Sequence, residues 1–155
     1  MTLLNLLSKR TLLTLAALSV TLLPLKAQQI FCSTSTMRGT YVLSGTGTLY
    51  LSSGTGGSTV ATPVALVGQI TYDGNGKAQG IQTLSVGGTI YRQDTLSGSY
   101  KVNDDCTGSK SFTDASGLTS HFDFVVGPTG RTIISIETDS GTVLTITATL
   151  LNFTD

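Results

Sequence analysis

The sequence has no tryptophan, one histidine (His121), one glutamate (Glu137), three prolines and two cysteines, and only 12% of its residues are charged. Each shortage excludes something. So few Cys and His residues rule out zinc frameworks built from several such ligands, and no metal site is expected. Basic and acidic residues number 9 each, leaving no electropositive footprint for nucleic acid. The absence of tryptophan weakens a carbohydrate platform. What is plentiful is glycine, at 18 residues, together with threonine in regular alternation with apolar residues. That pattern argues against disorder and for an all-β protein.

The first 27 residues read as a cleavable secretory signal rather than as fold. Lys9 and Arg10 precede the 13-residue apolar run 11–23, Pro24 breaks it, and Ala27 supplies a small residue at the exit, with cleavage expected between Ala27 and Gln28. The apolar run is too short to span roughly 30 Å of hydrocarbon, so no stable membrane span is expected after processing. The expected location is secreted or periplasmic. Removing Lys9, Arg10 and Lys26 leaves 6 basic against 9 acidic residues, a mature charge of −3.

The expected organisation is a signal over 1–27, an N-terminal tail over 28–38 and one β-domain over 39–155. In an oxidising compartment the two cysteines, Cys32 and Cys106, are expected to form a disulfide that tethers the tail. A redox pair is disfavoured by the lack of C-x-x-C spacing and of a cationic setting.

From Arg38 onward, β-rich runs alternate with turn signals. Strands are expected over 40–51, 63–72, 77–86, 89–102, 109–113, 118–126 and 131–138, with an eighth through Leu144, Ile146, Ala148 and Leu150. The segment 52–59 reads as a loop, and the fourth run as interrupted near Asp94 or Ser97. Asp73-Gly74-Asn75-Gly76 is the strongest hairpin signal, because these residues tolerate positive φ. Inward glycines such as Gly45, Gly47, Gly68 and Gly80 either leave room for a ligand or permit strong coiling of the sheet. Eight runs joined by tight turns imply a single antiparallel up-and-down barrel, with a β-sandwich as the alternative.

The segments Gly39-Thr40-Tyr41, Gly68-Gln69-Ile70-Thr71-Tyr72-Asp73-Gly74-Asn75-Gly76, Gly98-Ser99-Tyr100-Lys101-Val102-Asn103 and Asp105-Cys106-Thr107-Gly108 resemble small secreted bacterial proteins with an allene-oxide-cyclase-like barrel. His121-Phe122-Asp123-Phe124-Val125 and Ile136-Glu137-Thr138-Asp139-Ser140-Gly141-Thr142-Val143 are similar too. The resemblance implies an eight-stranded calycin-type barrel. The plant cyclases hold a fatty-acid epoxide inside the barrel and use a carboxylate and a held water. Their motif has no counterpart here, so no catalytic residue carries over.

The residues themselves offer few candidates for catalysis. His121 and Asp123 share one strand face, and an Asp can orient an imidazole. That face lies opposite Phe122 and Phe124 and reads as the outer one. Glu137 would gain a raised pKa inside a barrel, but with Ile134 and Ile136 turned inward it reads as a surface residue. Tyr41, Tyr72, Tyr100 and Phe122 are the candidates for ligand contact. Acidic pairs such as Asp104-Asp105 read as turn residues rather than calcium ligands.

No cofactor is implied. The favoured roles are binding of a small apolar or amphipathic ligand inside the barrel, or a structural or interaction module, possible as a homo-oligomer. The alternative is a cyclase or isomerase acting on an oxidised lipid-like substrate. The processed protein is expected to show an intact mass lacking the first 27 residues and two hydrogens. An unprocessed N-terminus or an added lipid mass would refute this expected processing.

Overall fold

The computed structural model describes residues 31–53 and 58–152. The expected leader, its expected Ala27–Gln28 cleavage point and the start of the 28–38 tail lie outside the described residues, as does the centre of the 52–59 loop.

Eight strands follow in order: β1 Arg38–Ser53, β2 Ser58–Asp73, β3 Lys77–Val86, β4 Thr89–Val102, β5 Thr107–Thr113, β6 Thr119–Val126, β7 Thr132–Glu137 and β8 Thr142–Asn152. Each pairs antiparallel with the next, and β8 returns to pair with β1, so the sheet is a closed barrel. Closure excludes the sandwich alternative. The 52–59 loop is shorter than expected, because β1 and β2 extend to Ser53 and Ser58. The fourth strand is continuous. Its irregularity is a register shift against Gln82 and Leu84, where Gln93 takes a φ of 52°. A single displaced residue of this kind re-aims a strand without ending it.

Side-chain alternation sorts the residues into an apolar interior and a polar exterior. On β8, Leu144, Ile146 and Ala148 are buried, while Thr145, Thr147 and Thr149 are exposed. On β6, Phe122, Phe124 and Val126 face in, and His121 and Asp123 face out.

The expected phase of β7 is reversed. Ile133, Ser135 and Glu137 point inward, whereas Ile134 is 59% and Ile136 49% exposed. The register explains this. Ile133 lies opposite Ala148, and Ser135 opposite Ile146. Directly opposed residues in an antiparallel pair project to the same face, so the unambiguous β8 pattern decides for a strand that is apolar on both sides.

The inward glycines serve coiling rather than space. A methyl group on Gly47 would collide with the Val143 carbonyl of β8, and one on Gly80 with the Gln69 carbonyl of β2. The turn acids hold their own loops. The Asp73 carboxylate accepts from the backbone N–H of Asn75 (2.7 Å) and Lys77 (2.9 Å), and Asp105 accepts from Thr107 (3.0 Å).

One barrel end is sealed. A short 3₁₀ turn, Thr34–Thr36, lies between the Cys32–Cys106 disulfide and the fully buried Met37. The Cys32 N–H donates to the Asp104 carbonyl at 3.1 Å. Two phenols from the barrel complete the seal. The Tyr100 hydroxyl donates to the Met37 carbonyl at 2.8 Å, and the Tyr41 hydroxyl to the Gly130 carbonyl at 2.6 Å.

The disulfide closes a sequence separation of 74 residues. On chain-entropy grounds, a Cys32→Ser/Cys106→Ser variant is expected to lose roughly 4 kcal/mol in urea unfolding. Its residues before Met37 should become accessible to protease in the folded state. An unchanged midpoint would show that the phenol contacts alone hold the segment.

Candidate functional site in the barrel interior

The sealed end is floored by three tyrosines in edge-to-face contact. The Tyr41 and Tyr72 rings lie 5.4 Å apart at 89°, and Tyr72 and Tyr100 lie 5.0 Å apart at 84°. This arrangement sets the positive edge of one ring against the negative face of the next. Burial pushes the Tyr41 hydroxyl up to about 12 and raises those of Tyr72 and Tyr100 as well, so all three keep their protons at neutral pH.

Above this floor is a cavity of about 390 Å³. Its wall is mainly aliphatic and aromatic, with Leu43, Leu66, Ile70, Phe112, Phe122 and Ile146 among its members. It extends from Tyr72 and Lys110 to Asp114, Leu118, Asp139 and Ser140. Those last residues belong to the β5–β6 and β7–β8 turns, and Leu118 is 65% exposed. The cavity mouth is therefore at the end opposite the disulfide.

The most unusual residue of the interior is Lys110, which is only 5% exposed. Strand β5 alternates Gly108, Lys110 and Phe112 toward the inside. Register places Lys110 opposite Tyr100 on one side and Phe122 on the other. Its Nζ lies 3.3 Å from the Tyr72 hydroxyl and 5.6–6.0 Å from the ring centres of Tyr72, Phe112, Phe122 and Phe124. Ring faces at this distance attract a cation, but they replace only part of its hydration. Among the described residues no carboxylate lies within 4 Å of it; the one such charged-group contact is between the His121 imidazole and Asp139. Desolvation lowers the Lys110 pKa to about 7.

Glu137 also lines this cavity, nearer the mouth, which corrects the surface placement expected from Ile134 and Ile136. Burial is the largest influence on its carboxyl and raises its pKa, against a lowering hydrogen bond from Ser120. Gln82 donates to the Asp94 carboxylate at 3.1 Å, and Asp94 accepts from the Ala115 N–H at 3.1 Å, tying the β5–β6 turn to the rim.

His121 is on the outer face as expected, but its partner is Asp139 rather than Asp123. Nδ1 is 2.9 Å from one Asp139 oxygen, and the His121 N–H donates to the other at 2.7 Å. These bonds, the backbone one foremost, lower the Asp139 pKa. The pair is solvent-facing and fastens the β7–β8 turn to β6.

Of the four ligand candidates, Tyr72 and Phe122 line the cavity, while Tyr41 and Tyr100 belong to the seal beneath it. Sequence reasoning missed Lys110. The available signal was its parity with Gly108 and Phe112. Among the described residues no group of three or more His, Cys, Asp or Glu is placed to hold a metal ion. Compared with protein-family models, curated proteins and solved structures, the chain matches none.

The folded pKa of Lys110, about 7, lies below its ordinary value of 10.5. Below pH 7 the fold therefore bears the full cost of the buried ammonium. Stability is expected to rise between pH 7 and 10.5, where the unfolded chain binds more protons. Above pH 10 the raised tyrosine pKa values oppose this gain, because the unfolded chain loses phenol protons first. A Lys110→Met variant should be about 1–3 kcal/mol more stable at pH 7, with the difference fading by pH 10. Thermal unfolding across this range measures it, and a destabilised variant at pH 7 would overturn the assignment.

Proposed function

We propose that this protein is a secreted or periplasmic barrel that binds one small amphipathic molecule in its interior. The observation that carries this reading is the open-mouthed apolar cavity with a single amine at its floor. Pockets that bind small molecules are mostly apolar and carry a few placed polar groups, and a volume of about 390 Å³ falls within their usual range. At roughly 30 Å³ per water-sized atom, the space holds about a dozen non-hydrogen atoms. The Cys32–Cys106 disulfide supports an oxidising location, since such bonds persist outside the cytosol. The eight-stranded closure supports a relationship to the allene-oxide-cyclase-like barrels.

A second reading, a cyclase or isomerase acting on an oxidised lipid, is favoured by Glu137. A carboxyl with a raised pKa inside an apolar cavity suits proton transfer. In that case an epoxide-bearing fatty acid would be converted by the protein, and Glu137→Gln would stop conversion while leaving binding in place.

The binding reading is tested by filling the cavity. Leu66 lines it midway along β2. Decanol is expected to bind the wild-type barrel in calorimetry and to lose most of its affinity for Leu66→Trp. Near-ultraviolet circular dichroism verifies that the variant is folded. Unchanged binding to a folded Leu66→Trp protein would place the ligand elsewhere.

A further inference from the structure

We infer that the ligand is an organic acid whose carboxylate seats on Lys110 at the floor of the cavity, with its apolar tail directed to the mouth. This deepens the cavity-binding reading and rests on it. Lys110 is held where a cation is poorly solvated. It has one hydrogen bond, to the Tyr72 hydroxyl, four aromatic rings about it, and no carboxylate within ion-pairing reach among the described residues. A buried ammonium lacking a counter-ion is costly, and an incoming anion supplies the missing charge.

The other polar groups near the amine agree with this assignment. Tyr72, from β2, is a protonated phenol 3.3 Å from Nζ, so it also has a proton to give to a carboxylate oxygen. Tyr100, directly opposite Lys110 on β4, spends its hydroxyl on the Met37 carbonyl. Of the acidic side chains of the cavity, Glu137 on β7 is the nearer to neutral, because burial raises its pKa. Asp114 and Asp139 belong to turns at the mouth. Asp114 is held by the backbone N–H groups of Ser116 and Leu118, and Asp139 by His121. The negative charge of the cavity is thus concentrated at the rim, and the positive charge at the floor.

Protonation provides an independent signature. In the free protein the amine gives up its proton near pH 7. An anion against it favours the ammonium, so binding above that pH takes up a proton by linkage. A neutral ligand of the same length has no such effect.

The experiment compares decanoate with decanol at pH 8.5 by isothermal calorimetry, in two buffers of different ionisation enthalpy. Decanoate is expected to bind about tenfold more tightly or better, the ratio of a charge-assisted hydrogen bond. Its binding should take up close to one proton, and decanol binding none. In Lys110→Met, decanoate should lose this advantage and its proton uptake, while decanol still binds. Lys110→Arg gives a second measurement: a permanently charged head should bind decanoate without proton uptake. Equal affinity for the two probes in the wild-type protein, or an advantage that survives Lys110→Met, would overturn the acid assignment and leave the cavity reading standing. Failure of both probes to bind would overturn both.

Discussion

The β1–β8 ladder, from Thr40 opposite Asn152 to Leu49 opposite Thr142, is the constraint on which the interior depends. Without it the sheet has two open edges and no inside. With it, every strand is locked in phase with its neighbours, and an inward residue on one strand specifies the inward residue opposite. The phase of β8 passes to β7 through Ile133–Ala148 and Ser135–Ile146, and β7 passes it to β6 through Phe122–Glu137. Lys110 enters the same series opposite Phe122. An ammonium and a carboxyl are thus inside the barrel because closure leaves their strands no other phase. The wall glycines make this closure possible by letting neighbouring backbones approach where a methyl group would collide.

Burying Lys110 works against folding, and the surrounding structure absorbs that cost. The apolar interior includes Leu43, Ile70, Phe112, Phe124 and Val126, each worth about 1.5–3 kcal/mol when fully buried. The disulfide adds stability from the unfolded side. Such a barrel can carry one unsolvated amine and remain folded.

The architecture was legible in the sequence because its strongest signals are local. The alternation of Leu144, Ile146 and Ala148 with threonines, and the Asp73–Gly76 turn, identify a strand and a hairpin without any long-range information. The Cys32–Cys106 bond was legible from the cysteine count and the expected oxidising compartment. The site was not legible, for reasons that can be named. On β7 the face carrying Ile134 and Ile136 is the more apolar one, while Ile133 shares its face with Ser135 and Glu137, so hydrophobicity pointed to the wrong phase and the partner strand decided. On β5 the short run Gly108–Phe112 offers one large apolar residue on which to fix a phase, and a lysine is ordinarily assigned to solvent. His121 and Asp123 were correctly placed outside. The Asp139 contact depends on a turn that folds back across β6, which spacing along one strand does not reveal.

Among the described residues the stapled N-terminal segment closes one end of the barrel, and the cavity opens at the other. Met37, the two phenol hydroxyl bonds and the disulfide lie across the far end. Such a cavity measures length from a fixed floor. Were an acid to seat on Lys110 as proposed, each added methylene of its tail would gain about 0.8 kcal/mol while it remained below the rim. Beyond Leu118 and Ser140 it emerges into water and gains little. The barrel would therefore select against short molecules and tolerate long ones, leaving their far ends exposed at the rim, where a second macromolecule or a membrane surface could take hold of them.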